Sequence, residues 1–325
     1  MRRLAGLVLA VLAAGPAAAQ PAPPKAQAVA PGVWLIPGGI PPKRQPDGNT
    51  VIFEGPRGLV VMDTGRHAWH RQAILDFARS RRQPIVAIVN SHWHLDHVSG
   101  NPALKAAYPG ARVYASRAID QALTGFLARS AADARAYLEP GKLPPETQED
   151  IRNDLATIQA GESLKPDVAI EGSGVRSLAG RKLSVNLARD AATAGDVWLY
   201  DPGSRVVAVG DLVTLPAAFL DTACPQGWRA ALGAVWATPF RIAVPGHGSP
   251  MTRNQFALYR TAFDQLVDCA ASTRSKAECA AGWTRTVTPL LGDDPAAARR
   301  AQQMTEYYVE GVLRAKGGGS PTCAA

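Results

Sequence analysis

Three imidazoles and a carboxylate fall within six residues in Ser91-His92-Trp93-His94-Leu95-Asp96-His97, although the whole chain holds only six histidines. Neutral imidazole and carboxylate are good ligands for Zn²⁺ and similar ions. A tight loop can turn His92 and His94 toward one point and Asp96 and His97 toward another. Two further candidates stand where strands are expected to end: Asp211 after Val206–Gly210, and His247 after Val244-Pro245-Gly246. In open α/β sheets, ligands gather beyond strand ends. Either residue alone is an ordinary turn carboxylate or loop histidine; with the histidine cluster they complete a site.

The elements that must position these groups are legible as patterns. Ile85–Val89 is a continuous apolar run, as for a strand buried on both faces, and it leads straight into the cluster. Val51-Ile52-Phe53 and Leu59–Met62 flank the turn signal Gly55-Pro56-Arg57-Gly58 and predict a hairpin. Val33–Ile36 and Val113–Ala115 are further short strands. The spacing of Ile74, Phe77 and Ala78 predicts a helix over 68–81. Residues 117–163 are Ala-rich and broken by Pro140-Gly141 and Pro144-Pro145, which predicts two or three helices inserted between strands. Strands return at 168–170, 183–185, 197–200, 206–209 and 242–244, with a helix over 226–237. Thr252 and Gln255 form a capping box ahead of a helix bearing Phe256, Tyr259, Phe263 and Leu266, and Asp294-Pro295 opens a last helix to about Ala315. Such interleaving predicts layered α/β architecture.

The chain resembles the metallo-β-lactamase superfamily, the αββα metallohydrolases that include glyoxalase II, from about residue 29 to 262. The resemblance rests on Val60-Val61-Met62-Asp63-Thr64-Gly65, His92-x-His94-x-Asp96-His97, Gly195-Asp196, Gly210-Asp211 and Pro245-Gly246-His247-Gly248. It implies a four-layer αββα sandwich. One metal is then held by His92, His94 and a third histidine, and a second by Asp96, His97 and His247, with Asp211 bridging both. The family usually carries the third histidine in a His-Thr-x-Gly-Asp stretch; here that stretch reads Ala192-Thr193-Ala194-Gly195-Asp196. Three outcomes follow. Site one binds weakly through His92, His94 and Asp211; or only site two fills, freeing His92 or His94 as a general base; or His67 or Asp190 moves in as a substitute. The preferred expectation is a filled site two with partial or no occupancy of site one. The expected metal is Zn²⁺, one or two ions, with iron or manganese as alternatives.

The expected chemistry is attack of water activated by the metal on an ester, thioester, amide or lactam bond of a small-molecule substrate. Asp96 and His94 are the catalytic candidates: Asp96 as a ligand that also hands a proton to the leaving group, His94 as a base where it is not a ligand. Asp63 is expected to fix a ligand imidazole through its other ring nitrogen. Trp93 and Leu95 read as packing or pocket wall. Phe219, Leu220 and Trp228 read equally as pocket wall or core, with the 117–163 insert beside the mouth as a lid. The alternatives are a β-lactamase proper, a non-hydrolytic iron member acting on sulfur compounds or oxygen through a facial triad of His92, His94 and Asp211, and a degenerate binding protein. The Gly210-Asp211 pair looks more like the glyoxalase-type branches than like lactamases.

Composition bounds the rest. In 325 residues, 46% hydrophobic and 19% charged, a packed core is affordable and disorder is not expected. The net charge of +8 is scattered, with no basic run interleaved with aromatics, so no nucleic-acid partner is expected. Arg2, Arg3, the apolar stretch Leu4–Ala14 and Ala17-Ala18-Ala19 read as a cleaved signal peptide over 1–19, which predicts a periplasmic or secreted protein with no stable membrane insertion. A flexible leader is expected over 20–28, the sandwich over 29–265, and a helical extension over 266–325. In an oxidising compartment Cys269 with Cys279, and Cys224 with Cys323, are the expected disulfides, against buried free thiols.

Overall fold

The computed structural model describes residues 21–138, 143–294 and 296–315. Two mixed sheets lie face to face. The first contains β1 (Gln27–Ala30), β2 (Val33–Ile36), β3 (Thr50–Gly55), β4 (Gly58–Met62), β5 (Ile85–Val89), β6 (Arg112–Ala115) and β7 (Val168–Ala169), in that spatial order. It is antiparallel from β1 to β4 and parallel from β4 to β7. The second contains β8 (Gly174–Leu178), β9 (Arg181–Arg189), β10 (Gly195–Asp201), β11 (Val206–Thr214), β12 (Ile242–His247) and β13 (Met251–Thr252), ordered 13-12-11-10-9-8, with β11 and β12 parallel.

Strand periodicity sorts the apolar runs between two layers. Val51, Phe53, Val60, Met62 and Val89 meet Leu183, Val185, Val197, Leu199 and Val244 between the sheets. Their alternates Ile52, Val61 and Ile88 face outward onto α1 (Ala68–Arg81). A one-turn helix α2 (Leu95–Val98), α3 (Asn101–Ala107) and the insert helices α4 (Ala118–Thr124), α5 (Phe126–Tyr137) and α6 (Pro145–Gln159) follow. The outer face of the second sheet is covered by α7 (Pro225–Ala237), α8 (Arg253–Ala270), α9 (Lys276–Val287) and α10 (Ala297–Tyr308), through a core that includes Trp198, Trp228, Phe256, Tyr259, Phe263 and Trp283. The result is helix, sheet, sheet, helix. The capping box at Thr252 and Gln255 is formed, and a second opens α9 at Ser275 and Glu278. Cys269 and Cys279 are bonded and tie α8 to α9.

Several details differ from expectation. β1 begins inside the span expected to be a leader, because its backbone pairs with β2. β8 carried no apolar signal: it is an edge strand whose residues are mostly exposed. The last helix is regular only over Ala297–Tyr308 and continues as a wider turn at Val309–Leu313. Asp211 lies within β11, which runs on to Thr214, while His247 is the last residue of β12. The signal peptide expected over 1–19 and Cys323, the expected partner of Cys224, lie outside the described residues. No helix among the described residues is long and apolar enough to cross a membrane.

Candidate metal centre

The loop after β5 is anchored before it reaches the candidate residues. Asn90 Nδ2 donates to the His97 carbonyl at 3.3 Å, and Asn101 Nδ2 donates to Asn90 Oδ1 at 2.7 Å. The Thr64 hydroxyl lies 3.0 Å from Asn101 Oδ1 and 3.1 Å from the His97 carbonyl. This buried network joins both ends of the loop to the end of β4. Extended backbone at His94 then gives way to the single turn of α2. His92 and His94 therefore share one side, while Asp96 and His97 project from the turn.

Asp211 reaches the same place through a break in strand pairing. The β11–β12 register shifts between Ala208 and Gly210 and again between Gly210 and Thr214. Gly210 has φ 53°, a conformation that suits glycine, and a Cβ there would collide with Ser91. At Gly246 a Cβ would collide with the Asp211 carboxylate itself. Asn49 holds the end of β12: its Nδ2 donates to the carbonyls of Pro245 at 2.9 Å and Gly248 at 2.8 Å.

Two groups of metal-capable donors result among the described residues: His92, His94 and Asp211, and Asp96, His97 and His247. Asp211 faces both. Its Oδ2 is 3.6 Å from His92 Nε2, and its Oδ1 is 3.2 Å from His97 Nε2 and 3.6 Å from His247 Nε2. His247 Nε2 is 3.0 Å from Asp96 Oδ2. His92 Nε2 and Asp211 Oδ1 are buried without a hydrogen-bond partner. Buried polar atoms are ordinarily satisfied, so these are two atoms that a cation could satisfy.

The hydrogen bonds around the rings decide which nitrogens face inward. Ser91 Oγ lies 2.6 Å from Asp63 Oδ2 and 2.9 Å from His92 Nδ1. A carboxylate only accepts, so the single hydroxyl hydrogen goes to Asp63, and His92 Nδ1–H donates to Ser91. His97 Nδ1–H donates to the same Asp63 oxygen at 2.9 Å. Both rings are left with Nε2 turned toward the cluster. Asp63 thus holds one imidazole directly and a second through Ser91, from a backbone position with φ 64° that is uncommon outside glycine.

Charge within the cluster is arranged to suit a cation. Burial, reinforced by His94 and His97, holds His92 well below its ordinary value, and burial lowers His94 to about 4. Both rings are therefore held neutral. Burial also opposes charge on His97 and His247, but Asp211 and Asp96 outweigh it and raise both. Despite burial, Asp96 and Asp211 are held low chiefly by His97. The carboxylates here demand positive charge at their centre.

The other candidates are placed as follows. Ala192 is buried in the core of the second sheet. His67 sits apart, 2.7 Å from Asp47 and 3.2 Å from Asp150, and Asp190 belongs to neither donor group. Trp93, Leu95 and Phe219 line a cavity of about 310 Å³ over the site, with Phe126, Leu127, Leu215 and Met304. Leu220 and Trp228 are core instead, the latter donating to the Leu212 carbonyl at 2.9 Å. The insert contributes Phe126, Leu127, Ser130 and Asp154 to the cavity wall. The sequence offered no sign of Thr222, whose hydroxyl lies 3.0 Å from His94 Nε2 and 128 residues away in the chain. Nor did it point to Arg66, which lies 3.8 Å from Asp96 and is paired with Asp154.

Similarity to known proteins bears on the fold and the family. Among proteins of known activity the chain is 27% identical over 222 residues to a linear primary-alkylsulfatase from Pseudomonas sp. (strain ATCC 19151), covering 62% of this chain and 41% of that protein. It is 31% identical over 140 residues to a hydroxyacylglutathione hydrolase from Synechococcus sp. (strain JA-3-3Ab), covering 43% of this chain and 39% of that one. The chain thus spans less than half the length of these relatives. Among solved structures, a stereoselective inverting sec-alkylsulfatase from Pseudomonas sp. superposes with a TM-score of 0.62 at 21% identity, over 90% of this chain and 50% of that one. A metallo-β-lactamase from Pontibacter korlensis gives 0.54 at 18% identity, over 74% and 98%. These likenesses concern the fold. Residues 45–250, which contain all six donors, match the metallo-β-lactamase superfamily as a whole, and the chain belongs to that superfamily.

Proposed function

We propose that the chain is an exported, metal-dependent hydrolase acting on an ester, thioester, amide or lactam bond in a small molecule with an apolar portion. The observation that carries this reading is the convergence of six donors with His92 Nε2 and Asp211 Oδ1 buried without a hydrogen-bond partner. His92, His94 and Asp211 would hold one divalent cation and Asp96, His97 and His247 a second, with one Asp211 oxygen turned to each group. A divalent cation held there supplies Lewis acidity and brings the pKa of water from about 15.7 to about 7. Imidazole with carboxylate suits zinc, and manganese or iron are compatible with the same donors.

The chain's own groups do the rest. Asp96 Oδ2 faces His247, while Oδ1 faces Arg66 at 3.8 Å. Oδ1, turned away from His247, would be the oxygen left to pass a proton to a leaving group. Trp93, Phe126, Phe219 and Met304 form an apolar wall that excludes water and seats the non-reacting part of the substrate. The relatives add a sulfate ester to the candidate bonds and strengthen the thioester. Export is supported by the leader pattern before Gln20 and by the Cys269–Cys279 disulfide. A second reading rests on one specific feature: His92, His94 and Asp211 are a two-histidine, one-carboxylate set, the donor type of non-haem iron oxygenases.

The test is hydrolysis by chelator-treated protein reloaded with Zn²⁺, Mn²⁺ or Fe²⁺. The panel is an S-acyl glutathione, an aryl acyl ester, primary and secondary alkyl sulfates and a chromogenic cephalosporin. Turnover of at least one is expected, abolished by chelation and lowered at least about 100-fold in Asp96→Asn. No turnover with any metal, or an Asp96→Asn rate within about twofold of wild type, overturns the reading.

A further inference from the structure

The family resemblance puts Ala192 at the place of a third imidazole, and the space beside His94 is organised. The Thr222 hydroxyl lies 3.0 Å from His94 Nε2 and 3.0 Å from the Ala192 carbonyl. A carbonyl only accepts, so the one hydroxyl hydrogen of Thr222 goes to Ala192. The hydroxyl oxygen must then accept from His94, which places the ring proton on Nε2 and leaves the lone pair on Nδ1. This is the same device, with different residues, by which Ser91 sets His92. Thr222 is itself buried and held from both sides. Asp221 next to it receives the hydroxyls of Tyr307 and Tyr308 at 3.4 Å each. Two residues on, the Cys224 N–H donates to the Ala191 carbonyl at 2.8 Å. The Phe219 ring stands edge-on to His94 at 5.1 Å and to Tyr308 at 6.0 Å. The C-terminal helix α10 thereby braces the loop that carries Thr222.

We propose that Thr222 is a positioning residue that locks His94 in the Nδ1-lone-pair form, so that His92, His94 and Asp211 remain a working three-donor cation site without a third histidine. Resting on the metallohydrolase reading above, this means that two cations bind with unequal strength and that Thr222 governs only the weaker. Groups that orient a ligand imidazole are worth about 10–100-fold in metal affinity, which sets the expected size of the effect.

The test is a Zn²⁺ titration of the full-length, chelator-treated protein against a competing chromophoric chelator, repeated with Co²⁺ to read coordination from the visible spectrum. Wild type is expected to show two binding steps. Thr222→Val should weaken the second step about 10–100-fold and leave the first unchanged, which also reports that the fold is intact. Thr222→Ser, which keeps the hydroxyl, should restore the second step, and Thr222→Ala repeats the deletion with a smaller side chain. A single step in wild type overturns the proposal and leaves the hydrolase reading standing. No binding at all overturns the hydrolase reading. Two wild-type steps that both survive Thr222→Val and Thr222→Ala, or that weaken together, show that Thr222 does not position His94.

Discussion

Asp63 holds more of the candidate centre than any other residue that is not itself a donor. Its carboxylate accepts from the Ser91 N–H at 2.7 Å, from the Ser91 hydroxyl and from His97 Nδ1–H. Asparagine tolerates the left-handed backbone found here, so Asp63→Asn changes the acceptor without changing the backbone requirement. One of its two terminal atoms becomes a donor facing donors. We expect Asp63→Asn to keep its far-ultraviolet circular dichroism and to bind its tighter cation about 10–100-fold more weakly, as read by chelator competition. Unchanged affinity would mean that the orientation of His97 is set elsewhere. The short range of such arguments explains what the sequence showed at this scale. His92, His94, Asp96 and His97 announce themselves because they crowd one loop. Thr222 and Arg66 do not, because each acts on a residue far along the chain and neither type is diagnostic alone.

The insert helix α6 is attached to the sandwich by charge as much as by apolar contact. His67 is stacked on Trp69 at 4.0 Å between Asp47 of the core and Asp150 of the helix. Arg44 bonds Asp150 at 2.7 Å and Glu149 at 2.9 Å, and the Gln45 N–H donates to Asp150 at 2.9 Å. Arg66 pairs with Asp154 one helical turn on. Burial opposes a charged His67, but Asp150 and Asp47 outweigh it and raise its pKa above the ordinary 6.5. Burial likewise opposes charge on the two carboxylates, yet His67 keeps both below the ordinary 3.8. The imidazolium contribution is thus complete below 6.5 and is lost as pH rises through the raised value. The carboxylate contribution is complete above 3.8 and is lost as pH falls through the lowered values. Hydrogen exchange of Pro145–Gln159, corrected for intrinsic rates, should therefore show full protection just below pH 6.5 that declines as pH rises through the raised value in wild type. His67→Gln should be less protected and insensitive over that range; equal wild-type protection at both ends would rule out this attachment. At the scale of elements the sequence was informative wherever burial imposes a period. Ile85–Val89, the helix over 68–81 and the box at Thr252 were all readable. The exposed edge strand β8 was not, and neither was the bulge at Gly210, which depends on how β11 meets β12.

Taken whole, the molecule uses a four-layer frame to bring the end of one sheet against the end of the other. The loop after β5 belongs to the first sheet, while Asp211 and His247 belong to the second. Neither half contains a complete donor group around Asp211 without the other. The frame was legible because interleaved strands and helices admit few layered solutions and because the motif order matched one of them. The packing of α9 and α10 over the second sheet was not, since their contacts with the 215–224 loop join residues as distant as Pro216 and Trp283, which are hydrogen-bonded at 2.9 Å. Six residues from the two sheets are proposed to hold a divalent cation jointly. Calorimetric titration of the chelator-treated protein with Zn²⁺, in wild type, Asp211→Asn and His247→Ala, tests it most directly. Saturable uptake of at least one ion per chain, lost or strongly weakened in both variants, is the predicted result. No saturable uptake by wild type, or uptake by Asp211→Asn indistinguishable from wild type, would contradict it.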